Sequence, residues 1–196
     1  MSPAAALQAP ILLLAMPQVL DPFFHRSVVL LVAHEDEGSF GFIVNRPTGI
    51  RVAEILRGME IDWRGEGQAL AFFGGPVQTQ LGTVLYAPPA APDAQPAEER
   101  VEVLPGVAIT QQVGDLAQLA AAPPSAFRLF LGYAGWGAGQ LVDEILRNDW
   151  LTAPVRGDLL FSAHPERLWG DALNTVGVDP ASLPSWTPSS GAGSAN

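Results

Sequence analysis

The chain of 196 residues contains no cysteine, which excludes disulfides, thiolate zinc sites, iron–sulfur ligation and cysteine nucleophiles together. Lysine is missing as well, since all 10 basic residues are arginine. A phosphate-loop lysine, a Schiff-base lysine and a kinase-type lysine are therefore excluded. Positive charge is scarce and scattered: 20 acidic residues leave a formal charge of −10. Duplex affinity depends on clustered Arg and Lys neutralising phosphates, so direct DNA binding is not expected. Histidine is limited to His25, His34 and His164, with no short chelating spacing, and no metal or cofactor is expected. No serine sits in a Gly-x-Ser-x-Gly elbow, which leaves Ser27 with His34 or His25 as the one hydroxyl–imidazole pairing to test.

Apolar residues make up 48% of the chain against 15% charged, a balance that favours a packed interior over extended disorder. The length suits one domain, expected over 1–184. Residues 1–8 carry no basic residue before the apolar stretch Ile11–Met16, which Pro10 and Pro17 bracket. A secretory signal needs a positive start, and a membrane span needs about 20 apolar residues. The expectation is a soluble, cytoplasmic chain with no membrane partner.

Short apolar runs predict strands at Ile11–Ala15, Val28–Ala33, Phe40–Val44, Ala69–Phe73, Thr83–Tyr86, Val107–Thr110 and Phe127–Leu131. Val28–Ala33 is apolar at every position and is expected to be covered on both faces. Val52, Ile55, Leu56 and Met59 form one helical stripe that stops near Gly58. Leu141, Val142, Ile145 and Leu146 form a second, with Asp143 and Glu144 early and Arg147 late, as the helix dipole favours. A third helix is expected to open at Pro165 and end at Gly177, and a weaker one to run near Asp115–Ala121. The helices are too unevenly spaced among the strands for a doubly wound layout, so the fold class is α+β with a mixed or antiparallel sheet. The proline-rich segment 87–100 reads as a mobile surface excursion, and 185–196 as a flexible tail.

Three polar clusters interrupt apolar runs where strands should end. Asp21-Pro22-Phe23-Phe24-His25-Arg26-Ser27 is a turn former followed by polar groups suited to capping backbone. Asn45-Arg46-Pro47-Thr48 leads towards the helix at Val52; Arg46 offers a planar fork for a carboxylate or phosphate, or else a tie to nearby carbonyls. Phe73-Gly74-Gly75-Pro76-Val77 pairs with Gly132-Tyr133-Ala134-Gly135-Trp136-Gly137-Ala138-Gly139-Gln140, read as a loop with four glycines in eight residues. Bare amides there offer an anion cradle; the competing reading is steric, with glycine letting the backbone turn or pass under an aromatic ring.

Together these stretches resemble the YqgE/AlgH family of bacterial proteins. Ala15-Met16-Pro17, Arg26-Ser27-Val28-Val29, Gly41-Phe42-Ile43-Val44, Leu131 with the glycine-rich stretch, and Asp149-Trp150-Leu151 complete the resemblance, in order, from about Leu7 to Leu183. It implies a bifurcated sheet curled into a partial barrel with helices around it, a cytosolic setting and no agreed activity. One branch of the family is named as a transcriptional regulator, which the acidity of this chain redirects towards a protein or metabolite. The chain departs from the family where Val142 stands in place of a usual Glu, and where Leu81-Gly82-Thr83-Val84-Leu85-Tyr86 replaces an Arg- and His-containing run.

The first functional expectation is a non-enzymatic regulatory or ligand-binding module. Its site is built from Arg26, Asn45, Arg46, Gly74, Gly75, Tyr133, Trp136 and Gln140, with no catalytic residue and an unidentified small-molecule or protein partner. The alternative is an enzyme acting on a phosphorylated or carboxylated metabolite. It would use Arg26 or Arg46 as anion clamp and Asp21, His34 or Glu144 for proton transfer.

Overall fold

The computed structural model describes residues 7–88 and 101–184. In chain order its elements are β1 (Ile11–Ala15), β2 (Val28–Glu35), β3 (Gly38–Ile43), β4 (Pro47–Arg51), α1 (Val52–Gly58), β5 (Leu70–Phe73), β6 (Val77–Tyr86), β7 (Val101–Leu104), β8 (Val107–Thr110), α2 (Val113–Ala121), β9 (Phe127–Gly137), α3 (Gln140–Leu146), β10 (Trp150–Ala153), α4 (Gly157–Leu160) and α5 (Leu168–Thr175).

The apolar run at Val28–Leu31 is fully buried, as coverage on both faces requires. Antiparallel neighbours flank it, with Leu12 opposite Leu30 and Val29 opposite Ile43. Side chains alternate across this sheet. Leu12, Leu14, Leu30 and Phe42 enter one core with α4 and α5, whereas Leu13, Val29, Leu31 and Ile43 enter a second, covered by Leu141 of α3. A third core lies under α1 and α2, through Val52, Leu56, Leu116 and Ala120.

The ten strands form one curled sheet in the order β10-β1-β2-β3-β9-β6-β8-β7, with β4 and β5 on a side branch. The branch point is β9. Its Phe130 and Leu131 pair in parallel with Phe72 and Phe73 of β5, while Ala134–Gly137 pair antiparallel with β3. Leu129–Leu131 also face β6 across the other edge. The fold is thus α+β, a single mixed sheet bent into a half-barrel with helices packed on it.

Two expectations need correction. The glycine-rich stretch is not a loop from Tyr133 onward, because β9 continues through Gly137 and only Ala138 and Gly139 turn into α3. The third helix begins at Leu168 rather than Pro165: Arg167 N–H and Leu168 N–H bond to His164 and Pro165 carbonyls at 3.0 and 3.3 Å, a tighter turn that precedes it. The strands β4, β7 and β10 and the short helix α4 had no expectation. Segment 87–100 from residue 89, and the tail 185–196, lie outside the described residues.

Candidate functional site

The turn at Asp21 forms as its chemistry predicts, with Asp21 Oδ1 accepting from Phe23 N–H at 2.8 Å and Phe24 N–H at 3.3 Å. Arg26 then takes a left-handed conformation, φ 52°, and its guanidinium carbon lies 5.3 Å from the centroid of the Trp169 ring. Asn45 clamps this turn to β2. Its Oδ1 accepts from Val28 N–H at 2.9 Å and its Nδ2 donates to the Arg26 carbonyl at 3.0 Å. Arg46 donates through Nη2 to the His25 carbonyl. These donors and acceptors hold two strand ends and a turn together.

The two glycine clusters meet. Gly74 N–H donates to the Leu131 carbonyl at 2.8 Å, and the Gly74 carbonyl accepts from Ile43 N–H at 2.8 Å. A Cβ on Gly74 would lie 2.2 Å from the Gly132 carbonyl oxygen, and one on Gly75 would lie 2.2 Å from that of Tyr133. Two backbones therefore pass at contact distance where β9 forks, and glycine is the residue that permits it.

Beyond the fork, two hollows share Gly135 and Trp136 as their common wall. One, of about 550 Å³, is lined by Glu35, Glu37, Phe40, Val77 and Tyr133. The other, of about 370 Å³, is lined by Phe24, Gln140, Arg147, Asp149 and Trp150, with Asp21 and Glu144 beside them. At its base one carboxylate gathers three neutral donors. Trp136 Nε1 and Trp150 Nε1 donate to Glu144 Oε2 at 2.9 and 2.8 Å, and Gln140 Nε2 donates to Oε1 at 2.9 Å. Gln140 Oε1 in turn accepts from Gly137 N–H at 3.1 Å. Phe24 completes the aromatic base, edge-on to Trp150 at 5.8 Å between ring centroids.

The AlgH-like family profile matches residues 12–181. The chain belongs to the YqgE/AlgH family. A UPF0301 protein of Myxococcus xanthus is 39% identical over 89% of this chain and 94% of its own length. Another, of Jannaschia sp., is 40% identical over 89% and 91%. The solution structure of AlgH from Pseudomonas aeruginosa superposes with a TM-score of 0.70 at 35% identity, covering 86% of this chain and 88% of that one. A crystal structure of a Corynebacterium diphtheriae protein shares the fold with a TM-score of 0.70 at 24% identity, over 84% and 85%.

In this YqgE/AlgH chain the expected site residues divide into two groups. Tyr133, Trp136 and Gln140 come together around the shared wall. Arg26, Asn45, Arg46, Gly74 and Gly75 line neither of these hollows and serve the turn and the fork. His25 Nδ1 lies 3.1 Å from the Val19 carbonyl and His34 Nδ1 lies 2.7 Å from Ser39 Oγ, while Ser27 Oγ is buried without a hydrogen-bond partner among the described residues. Among the described residues no cluster of three or more His, Asp or Glu is placed to hold a metal ion, and no helix is long and apolar enough to cross a membrane. Where the chain departs from its relatives, Thr83 Oγ1 accepts from Gln111 Nε2 at 2.9 Å and Val142 is half-buried on α3.

Sequence reasoning missed Phe24 and Trp150 as partners of Trp136, and it missed Arg128 altogether. Phe24 and Trp150 lie 126 residues apart, and no periodicity links them. Arg128 did leave a signal, a single charge inside the apolar run Phe127–Leu131.

Proposed function

We propose that this protein is a cytoplasmic, non-enzymatic binding module whose ligand occupies the hollow over Phe24, Trp136 and Trp150. The observation that carries this reading is the Glu144 carboxylate, held from both oxygens by two indoles and an amide. A carboxylate whose lone pairs are engaged by three fixed donors is poorly placed to abstract a proton, and well placed to hold a cavity wall in one shape. The other rim groups are committed in the same way: Asp149 bonds Arg147 at 3.0 Å and Asp21 bonds its own turn. Ligand affinity rises when the walls are already ordered before binding.

Three carboxylates and one guanidinium surround an aromatic base, so the hollow suits a ligand with a cationic or N–H-rich head and a flat apolar body. Tyr133 lines the other hollow, across the shared wall. Any regulatory role runs through such a ligand or a basic protein segment, in keeping with the charge of −10.

The test is titration of the ¹⁵N-labelled chain with arginine amide, spermidine and a short Arg-rich peptide, reading the two indole N–H signals at the base of the hollow. Saturable movement of the Trp136 and Trp150 signals, weakened in Gln140→Ala, supports the reading. Stationary indoles throughout the series, or shifts confined to other parts of the chain, would sink it.

A further inference from the structure

Arg128 is the second residue of β9 and is only 7% exposed. Its guanidinium carbon lies 4.1 Å from the centroid of the Phe72 ring, and its Nη2 donates to the Ser162 carbonyl just after α4. Nε is enclosed without a hydrogen-bond partner among the described residues. Nη1 makes no hydrogen bond to the described residues either, but unlike Nε it is not enclosed. The ion pairs among the described residues lie at the surface, Arg147 with Asp149, Arg156 with Asp158, and His164 and Arg167 with Glu166, and none reaches Arg128. Burial pushes its pKa down to about 10, with no acid among the described residues opposing that shift.

Removing a guanidinium from water costs far more than one carbonyl and a ring face return, and buried charges in proteins are ordinarily paired. A chain that needed only to fill this position would use an aliphatic residue, as Leu129 and Leu131 do beside it. We infer that Arg128 is the anchor of a second site, for a small oxyanion of the phosphate or carboxylate type, seated between Phe72 and the Ser162 turn. The open Nη1 presents N–H groups that can donate to an oxygen of such an anion, from a guanidinium that stays charged. The incoming negative charge supplies the partner that the described residues leave out. This site stands eight residues along β9 from Trp136, roughly 25 Å at strand rise, and does not depend on the hollow proposed above.

The experiment uses the full chain in chloride, inorganic phosphate and acetate at matched ionic strength, and follows both Tm and the Arg128 Nε–H resonance. A saturable shift of that resonance is expected, together with a Tm at least about 2 °C above the chloride value. Both should vanish in Arg128→Met and weaken in Arg128→Lys, which keeps the charge but not the planar fork. A response to phosphate alone assigns a phosphate ligand, and one to acetate alone a carboxylate. A Tm that tracks ionic strength regardless of the anion, or a response unchanged in Arg128→Met, overturns the site. Should that variant not fold, the wild-type resonance decides, because an Arg128 signal that stays still up to tens of millimolar of either anion defeats the inference. The indole signals of Trp136 and Trp150 report separately on the hollow, so the two readings fail independently.

Discussion

Trp136 and Trp150 stand on strands four steps apart in the sheet, β9 and β10, yet their rings meet edge to face at 5.9 Å and their indole N–H groups share one oxygen of Glu144. In a flat sheet those strands would lie roughly 19 Å apart. The curl of the half-barrel, together with the length of two indoles, closes the gap. Glu144 then ties α3 to both strands.

Removing that acceptor should be costly. Glu144→Ala leaves two largely buried indole N–H groups unpaired, and a loss of about 3 kcal/mol is expected, or a Tm fall of about 10 °C. Glu144→Gln keeps an oxygen for the indoles but opposes a second amide to Gln140, and should cost about 1 kcal/mol. Urea denaturation of the three proteins checks the order. Equal stability of Glu144→Ala and wild type would show that the carboxylate does not hold the two strands.

The fork in β9 makes a prediction about glycine. Gly74→Ala places a methyl group 2.2 Å from a backbone oxygen that cannot move without breaking the β5–β9 pairing, and should cost about 3 kcal/mol or more. Gly139, with φ 73° but nothing within 4 Å of where a Cβ would stand, should lose only about 1 kcal/mol on change to Ala. Thermal melts of the pair test whether close backbone approach or dihedral angle dominates. A smaller loss at Gly74 than at Gly139 would contradict the account of the fork.

Asn45 satisfies one donor and one acceptor of the Arg26–Val28 backbone. Asn45→Ala should therefore destabilise by about 2 kcal/mol, and Asn45→Asp, which retains the acceptor for Val28 N–H, by about half as much. Melting curves unaffected by either change would mean that the turn is held by Arg46 and Asp21 without it.

The elements legible in the sequence were those whose own side chains demand them. Val28–Leu31 needs apolar cover on both faces, and Leu141 with Ile145 forms a stripe only if helical. The branch strand β4 was not legible. Pro47 and Gly49 oppose a strand on local grounds, and β4 exists because Phe72 and Leu70 of β5 offer it an edge to pair with. The glycine-rich stretch misled for the same reason: its Gly132 marks a close approach to Gly74 and Gly75, which lie nearly 60 residues earlier in the chain.

For the candidate site, the residue types were visible and their grouping was not. Trp136, Gln140 and Glu144 are close in sequence, but Phe24 and Trp150 join them only through the curl of the sheet. Arg46 has the chemistry of an anion clamp, yet its guanidinium bonds the His25 carbonyl.

Composition and periodicity alone determined the α+β class, the chemistries ruled out by the absence of cysteine and lysine, and the apolar strands and helices, because these depend on what each residue is and on its near neighbours. Which polar groups face one another was decided by the tertiary structure. Hydrogen-bond partners and uncompensated charges depend on distances between segments far apart in the chain, and those distances exist only once the sheet has forked and curled.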